Sequence, residues 1–154
     1  MNTRRVIANL AVGLQSVPYL WGGSSPAKGL DCSGFVLWIF QALELLPKND
    51  TTAQGLYDML NVRGKIMSWG EGSPHAGDLL FYGKSSITHV AIFLGDDLAI
   101  SARGGGSDVD TLGEALEKDA KVKLHKPNYR KDLVAWGSIE EWITPANANP
   151  VSVA

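Results

Sequence analysis

The sequence predicts an α+β fold in which N-terminal helices pack on an antiparallel sheet of about five strands. Up to about residue 61 the apolar side chains follow helical spacing, whereas between residues 78 and 136 they form short runs separated by turn residues. Helices followed by consecutive strands are typical of an α+β domain and not of alternating βαβ units. The chain has 154 residues, which predicts one domain, assigned to residues 1–143.

The first helix is predicted over residues 3–15, with Asn2 or Thr3 as its N-cap. The segment begins with two arginines and resembles a short signal peptide, but it lacks a small-x-small cleavage site. We therefore expect a helix of the mature protein. Its apolar face is expected to contain residues spaced by four, namely Val6, Leu10 and Leu14.

The second helix is predicted to begin at Cys32, the only cysteine of the chain. A loop rich in Gly, Ser and Pro precedes it, and Asp31 is a good N-cap because its carboxylate can accept a bond from a free backbone N–H. The positive end of the helix dipole favours the thiolate form of Cys32. The unpaired N–H groups of Cys32 and Ser33 can hold an anion. A nucleophile beside such donors indicates acyl transfer, although a lone cysteine can also be an inert buried side chain.

The remaining elements follow from turn residues and apolar alternation. A third helix is capped by Thr51 or Thr52 and runs to about Asn61, and residues 64–77 are interpreted as turns. A short helix is expected at residues 112–118, and residues 144–154 are expected to form a flexible tail. Five strands are predicted, at residues 78–82, 88–94, 98–103, 121–124 and 133–136.

The hairpin of the second and third strands allows a register to be predicted. Alternate residues of a strand share a face, and both strands have one fully apolar set. The two sets face one core if Leu94 lies opposite Leu98, which requires an odd-length turn at residues 95–97.

The same register places His89, Ser101 and Arg103 together on the opposite face of the hairpin. His89 is therefore the candidate general base for Cys32, and the alternative is an ordinary half-exposed strand histidine. Arg103 can pair with a substrate carboxylate or be a solvated charge at the strand end.

Two other histidines, His75 and His125, are interpreted as solvated surface residues, because an exposed histidine needs no special explanation.

Three motifs between about Val17 and Arg103 resemble those of the NlpC-type family of bacterial cell-wall cysteine peptidases. They occur in the same order as in that family. The resemblance implies a papain-like core, with the nucleophile at the start of a helix and the histidine on the sheet. The motifs are Pro18-Tyr-Leu-Trp-Gly-Gly with Asp31-Cys-Ser-Gly-Phe, then Ala76-Gly-Asp-Leu-Leu-Phe, then Thr88-His-Val-Ala-Ile-Phe-Leu-Gly.

The resemblance also implies roles for individual residues. Cys32 matches the nucleophile of the family and His89 matches its general base. Tyr19 matches a tyrosine beside the cysteine that supports the oxyanion or the substrate. Asp31 and Ser33 match positions that line the substrate-binding side.

The sequence departs from the family at the third polar residue of the site. The family usually has His, Asn or Gln on the strand after the base, and an ungapped alignment places Ser101 there. A serine can fix the tautomer of His89, but it is short and uncharged. Either Ser101 orients His89 through a water, or a residue outside the motif orients His89, or the activity is reduced. His125 is a distant candidate that the spacing does not support, and a histidine at position 101 is expected to be tolerated.

The activity implied by the resemblance is hydrolysis of an amide bond in the stem peptide of peptidoglycan, next to γ-linked D-Glu, through a thioester. We expect a monomer without cofactor or metal that acts on the cell wall outside the cytoplasm and is phage-borne or exported by a non-classical route. The net charge of −2 gives no excess of basic residues that would indicate binding to nucleic acid. No apolar run approaches the roughly 20 residues of a membrane span.

Three alternatives remain open at this point. One is a non-catalytic wall-binding or phage virion domain with a weakened site, which the serine at position 101 suggests. The second is a cysteine N-acetylmuramoyl-L-alanine amidase, and the third is an acyltransferase on a similar fold.

Overall fold

The structure is a computed structural model that describes residues 2–144. Most of the predicted tail, from residue 145 onward, lies outside the described residues. The helices are α1 (Thr3–Gly13), α2 (Cys32–Ala42), α3 (Ala53–Asn61), α4 (Leu112–Lys118) and α5 (Glu140–Ile143). The strands are β1 (Ser24–Ser25), β2 (Gly29–Leu30), β3 (Ile66–Ser68), β4 (Leu79–Tyr82), β5 (His89–Gly95), β6 (Leu98–Arg103), β7 (Lys121–His125) and β8 (Leu133–Gly137).

The large sheet has six antiparallel strands in the order β3-β8-β4-β5-β6-β7. Strands β4 to β7 form the predicted meander, and β8 returns to the other side of β4. The predicted α+β class is confirmed. The edge strand β3 lies inside the segment interpreted as turns, because its three residues Ile-Met-Ser are too few to show alternation. No helix of residues 2–144 has the length and apolarity needed to cross a membrane.

Apolar residues are buried on both faces of this sheet. On one face, Ile92 and Ile100 belong to the main core together with Phe35 and Phe40 of α2. On the other face a smaller cluster contains Leu80, Tyr82, Ala91, Phe93, Ala99 and Trp136. A short 3₁₀ turn at Pro127–Tyr129 covers part of this second face, and the Tyr82 hydroxyl donates to the carbonyl oxygen of Pro127 at 2.6 Å.

The β5–β6 hairpin has the predicted register but not the predicted turn. Phe93 pairs with Ala99, as a three-residue turn would require, yet Gly95 pairs with Leu98. Leu94 is therefore the extra residue of a β-bulge, and the expected pairing of Leu94 with Leu98 is wrong. The turn itself has two residues with positive φ, 50° and 58°, which is the type I′ geometry that suits a twisted hairpin. The third residue that was expected in the turn is thus found in the bulge, as Leu94, and the rest of the hairpin keeps the predicted register.

Helix α1 begins as predicted, because the side chain of Asn2 accepts a bond from the N–H of Arg5. Its buried residues are Ile7 and Ala11. The face predicted from Val6, Leu10 and Leu14 is partly exposed, so the true core-facing stripe is offset by one residue.

Candidate active site

Asp31 places Cys32 at the first position of α2. One carboxylate oxygen of Asp31 accepts from the N–H of Gly34 at 2.7 Å and from the hydroxyl of Ser33 at 3.3 Å. The other oxygen accepts from the N–H of Gly22 at 3.0 Å. The carboxylate therefore caps the helix and also holds the loop that precedes it.

The same loop lies directly on the start of α2 because Gly34 has no side chain. A Cβ atom on Gly34 would lie 2.0 Å from the carbonyl oxygen of Gly23, a distance that backbone atoms do not tolerate. The N–H of Asp31 donates to that same carbonyl at 3.1 Å. Gly34 is thus required for the close approach of two backbone segments that set the position of Cys32.

The thiol of Cys32 is protonated at neutral pH. Burial raises its pKa to about 11, and the charge of Asp31 acts in the same direction. Backbone N–H groups of Val90, Ser33 and Cys32 itself favour the thiolate, but their effect is smaller than that of burial. The helix terminus favours the thiolate, as the sequence predicts, but burial has the larger effect and raises the pKa of the thiol.

Cys32 and His89 open onto one cavity of about 530 Å³. Within residues 2–144 no hydrogen bond joins the thiol to the imidazole, whose Nε2 is engaged elsewhere. Six of the seven site residues predicted from the sequence line this cavity. They are Tyr19, Asp31, Cys32, Ser33, His89 and Arg103. The exception is Ser101, which is fully buried behind His89.

Ser101 lies between two histidines. Its Oγ atom is 3.1 Å from Nε2 of His89, as the hairpin register predicts, and 2.7 Å from Nε2 of His125. His125 is 8% exposed, so its interpretation as a solvated surface residue is wrong. His125 is also not distant from the site, because β7 pairs with β6 and turns this side chain toward the face that carries Ser101.

Both histidines of this group are neutral at neutral pH. Burial lowers the pKa of His89 to about 3, and the charges of Arg130 and Arg103 act in the same direction against the weaker effect of Asp132. Burial also lowers the pKa of His125 to about 4. The site thus combines a neutral thiol with a neutral imidazole, an arrangement in which the imidazole takes the proton when the sulfur attacks.

Tyr19 is held beside Cys32 by tight packing. A Cβ atom on Gly105 would lie 2.5 Å from the Tyr19 ring, so the glycine loop after β6 lies against that ring. Burial raises the pKa of the Tyr19 phenol, and the nearby Cys32 and Asp31 add to the effect. The phenol therefore remains a neutral donor at the cavity wall.

The wall around His89 carries two arginines. The guanidinium of Arg103 stacks on the Tyr129 ring, with 4.3 Å from Cζ to the ring centroid. Its Nε is buried and has no hydrogen-bond partner among the described residues, which does not fit a solvated charge at a strand end. Arg130 forms an ion pair with Asp132 and also lines the cavity.

Sequence reasoning missed several residues of this cavity. Tyr129 is the last residue of the 3₁₀ turn, Arg130 follows it, and Asp50 precedes α3. Trp21 lies at the rim and is 55% exposed. Trp21 belongs to the motif Pro18-Tyr-Leu-Trp-Gly-Gly but was given no role, and the other three residues lie outside the motifs. Within the described part of the chain no group of His, Cys, Asp or Glu side chains could hold a metal ion.

The chain is similar to known proteins of one family. A model of the NlpC/P60 family matches residues 16–126. The bifunctional muramidase/DL-endopeptidase CwlT of Bacillus subtilis is 32% identical over 129 residues, which cover 80% of this chain and 36% of that protein. The gamma-D-glutamyl-L-lysine dipeptidyl-peptidase of Bacillus subtilis is 34% identical over 104 residues, which cover 62% of this chain and 31% of that protein. The chain therefore spans about a third of the length of these two relatives.

A solved structure shows a likeness over most of the chain. The crystal structure of the NlpC/p60 domain of the peptidoglycan hydrolase SagA superposes with a TM-score of 0.63 at 26% identity. The match covers 88% of this chain and 98% of that domain.

Proposed function

The chain belongs to the NlpC/P60 family, and on this premise we propose that it hydrolyses an amide bond in the stem peptide of peptidoglycan with Cys32 as nucleophile. The observation that carries the proposal is the placement of Cys32, at the start of α2, on the same cavity as His89. The activities for which two relatives are named, DL-endopeptidase and gamma-D-glutamyl-L-lysine dipeptidyl-peptidase, support a bond next to γ-linked D-Glu.

The proposed reaction is acyl transfer in two halves. His89 takes the thiol proton as the sulfur of Cys32 attacks the amide carbon, which forms the C–S bond and a tetrahedral oxyanion. The imidazolium returns this proton to the amide nitrogen as the C–N bond breaks, and the amine leaves. A water then loses a proton to His89 and attacks the thioester carbon. The C–S bond breaks, the thiol regains its proton, and the carboxylic acid is released.

The oxyanion is expected at the N-terminus of α2. Cys32 and Ser33 are the first two residues of α2, so their backbone N–H groups have no acceptor within the helix, and both favour the thiolate. In comparable sites one such donor contributes roughly 2.7–4 kcal/mol to transition-state stabilisation. Tyr19 is a further neutral donor at this wall.

Charges on the cavity wall favour a substrate that carries both signs. Asp31 and Asp50 line one part, whereas Arg103 and Arg130 line the part near His89. The unpartnered Nε of Arg103 suits a carboxylate, which a γ-linked glutamate presents beside the scissile bond. We propose that Arg103 binds this carboxylate, and that the reaction takes place on the cell wall outside the cytoplasm.

A second candidate function is that of a non-catalytic wall-binding domain. The raised pKa of Cys32 favours it, because a thiol with a pKa of about 11 is a poor nucleophile unless a base removes its proton.

Digestion of purified peptidoglycan, followed by mass spectrometry of the soluble fragments, tests the proposal. The expected products carry a new free amino group on the residue that follows D-Glu, and Cys32→Ala is the matched control that yields none. Release of stem peptides with a free N-terminal alanine would instead identify an amidase. Binding to the sacculus without any fragment would support the non-catalytic domain.

A further inference from the structure

A buried chain of hydrogen bonds runs from a backbone carbonyl to the imidazole of His89. The carbonyl oxygen of Lys126 lies 2.8 Å from Nδ1 of His125, and Nε2 of His125 lies 2.7 Å from Oγ of Ser101. Ser101 in turn lies 3.1 Å from Nε2 of His89. The three side chains are buried, and the Tyr129 ring packs on His125 at 4.1 Å between centroids.

The direction of each bond follows from the carbonyl at one end. A carbonyl oxygen only accepts, so Nδ1 of His125 carries a proton. His125 is neutral, because burial lowers its pKa to about 4, and its Nε2 is therefore an acceptor. The single hydroxyl proton of Ser101 points to that nitrogen. The oxygen of Ser101 is then left to accept from Nε2–H of His89.

We propose that His125 is a positioning residue, which through Ser101 holds His89 in the tautomer with its proton on Nε2. Nδ1 of His89 then keeps the lone pair that receives the thiol proton of Cys32. The catalytic role of this tautomer rests on the proposed function. The assignment of the tautomer does not, because it is argued from the hydrogen bonds. It also explains how an uncharged serine can stand where the family usually has His, Asn or Gln.

The environment of His89 makes this support important. Arg103 and Arg130 disfavour the imidazolium that forms during attack, whereas Asp132 favours it. A serine hydroxyl that donates to His125 has a more negative oxygen, so it is a better acceptor for the imidazolium N–H. Ser101 and His125 keep their own protons throughout the reaction.

His125→Phe tests the inference because it removes the acceptor while it keeps a ring against Tyr129. The Ser101 hydroxyl then loses the acceptor at 2.7 Å, so it is free to turn its proton toward Nε2 of His89, which favours the wrong tautomer. We expect kcat/KM on stem peptides to fall about tenfold or more, as a wrong histidine tautomer does in other hydrolases.

A matched pair of variants separates positioning from packing. In His125→Gln the amide oxygen can replace Nε2 as the acceptor for Ser101, so activity is expected to stay within about threefold of wild type. In His125→Asn the shorter amide can reach the carbonyl of Lys126 but not Ser101, so the loss should resemble that of His125→Phe. Thermal unfolding of both variants shows whether their folds are equally retained.

A second test uses the background Ser101→Ala. If His125 acts only through Ser101, then His125→Phe has no further effect on kcat/KM in this background. A role in packing alone would lower stability by the same amount with or without Ser101.

The direct readout is ¹⁵N NMR of the imidazole nitrogens at neutral pH. We expect His89 protonated on Nε2 and His125 on Nδ1 in the wild-type chain, with His89 shifted toward the Nδ1–H form in His125→Phe but not in His125→Gln. A wild-type His89 protonated on Nδ1, or a His125→Phe variant with unchanged tautomer and unchanged kcat/KM, would overturn the inference. If the expected tautomers are found in a chain that cleaves no peptidoglycan, the proposed function fails and the positioning role of His125 stands.

Discussion

The two faces of the β5–β6 hairpin are both buried, but they are buried for different reasons. One face presents Val90, Ile92, Ile100 and Ala102 to the helices, and all four are fully inaccessible to solvent. The other face presents His89 and Ser101, which are also buried but are linked by hydrogen bonds that extend to β7.

The difference shows how one pair of strands can serve stability and chemistry at once. Apolar burial is non-directional, so the helix-side face tolerates small shifts as long as its volume is filled. A buried polar group is stable only when its partners are in place, so the other face fixes the orientation of each ring. Substitutions on the first face should therefore change stability, and those on the second should change turnover.

The largest effect is expected from removal of the proposed catalytic pair. Both His89→Ala and Cys32→Ala should reduce peptidoglycan hydrolysis to below about 1% of wild type, and the double variant should be no worse, because the two residues act as one unit. Circular dichroism should show an unchanged fold. Residual activity well above that level in Cys32→Ala would argue against Cys32 as the nucleophile.

A substitution on the helix-side face should lower stability and leave turnover unchanged. Ile100→Ala leaves a cavity in the main core and is expected to cost about 2–5 kcal/mol of unfolding free energy. Under conditions where the variant is folded, its kcat/KM should equal that of wild type. Urea denaturation measures the first quantity, and a loss of turnover without a loss of stability would contradict the comparison.

A fall in pH should lower the stability of the fold through the two histidines of the polar face, His89 and His125. In the unfolded chain both histidines titrate near pH 6.5, whereas in the folded chain the pKa of His125 is about 4 and that of His89 is about 3. Between these values the unfolded chain binds protons that the folded chain does not, so stability falls as the pH falls from 6.5 toward 4. Each histidine contributes a slope of about 1.4 kcal/mol per pH unit.

Denaturation at several pH values measures this slope. In His125→Gln the slope should be smaller by the contribution of His125. His75→Gln is a matched control that should keep this contribution, because His75 is exposed. An equal slope in wild type and His125→Gln would show that His125 is not held neutral by the fold.

The smallest effect is expected at Ser101. Ser101→Ala removes the link between the two histidines and should lower kcat about tenfold, or ~1.4 kcal/mol of barrier. The sequence alone predicts that Ser101→His is tolerated. The structure reverses that expectation, because Ser101 is fully buried and His125 fills the adjacent space at 2.7 Å. Ser101→His should therefore express poorly or unfold at a lower temperature than Ser101→Ala.

Local sequence determined the parts of this protein that depend on near neighbours. The Asp31 cap, the start of α2 at Cys32 and the shared face of His89 and Ser101 each depend on residues within one turn or one hairpin. Cap chemistry and strand alternation act over such short distances, so they can be inferred without knowledge of the rest of the chain.

The tertiary structure alone decided what depends on pairing between distant segments. Seventeen residues separate β6 from β7, so the sequence does not fix their register, and that register brings His125 to Ser101. The bulge at Leu94 and the insertion of β8 between β3 and β4 have the same origin. The pKa of Cys32 is also a tertiary property, because the desolvation that raises it comes from chain segments packed around the helix start.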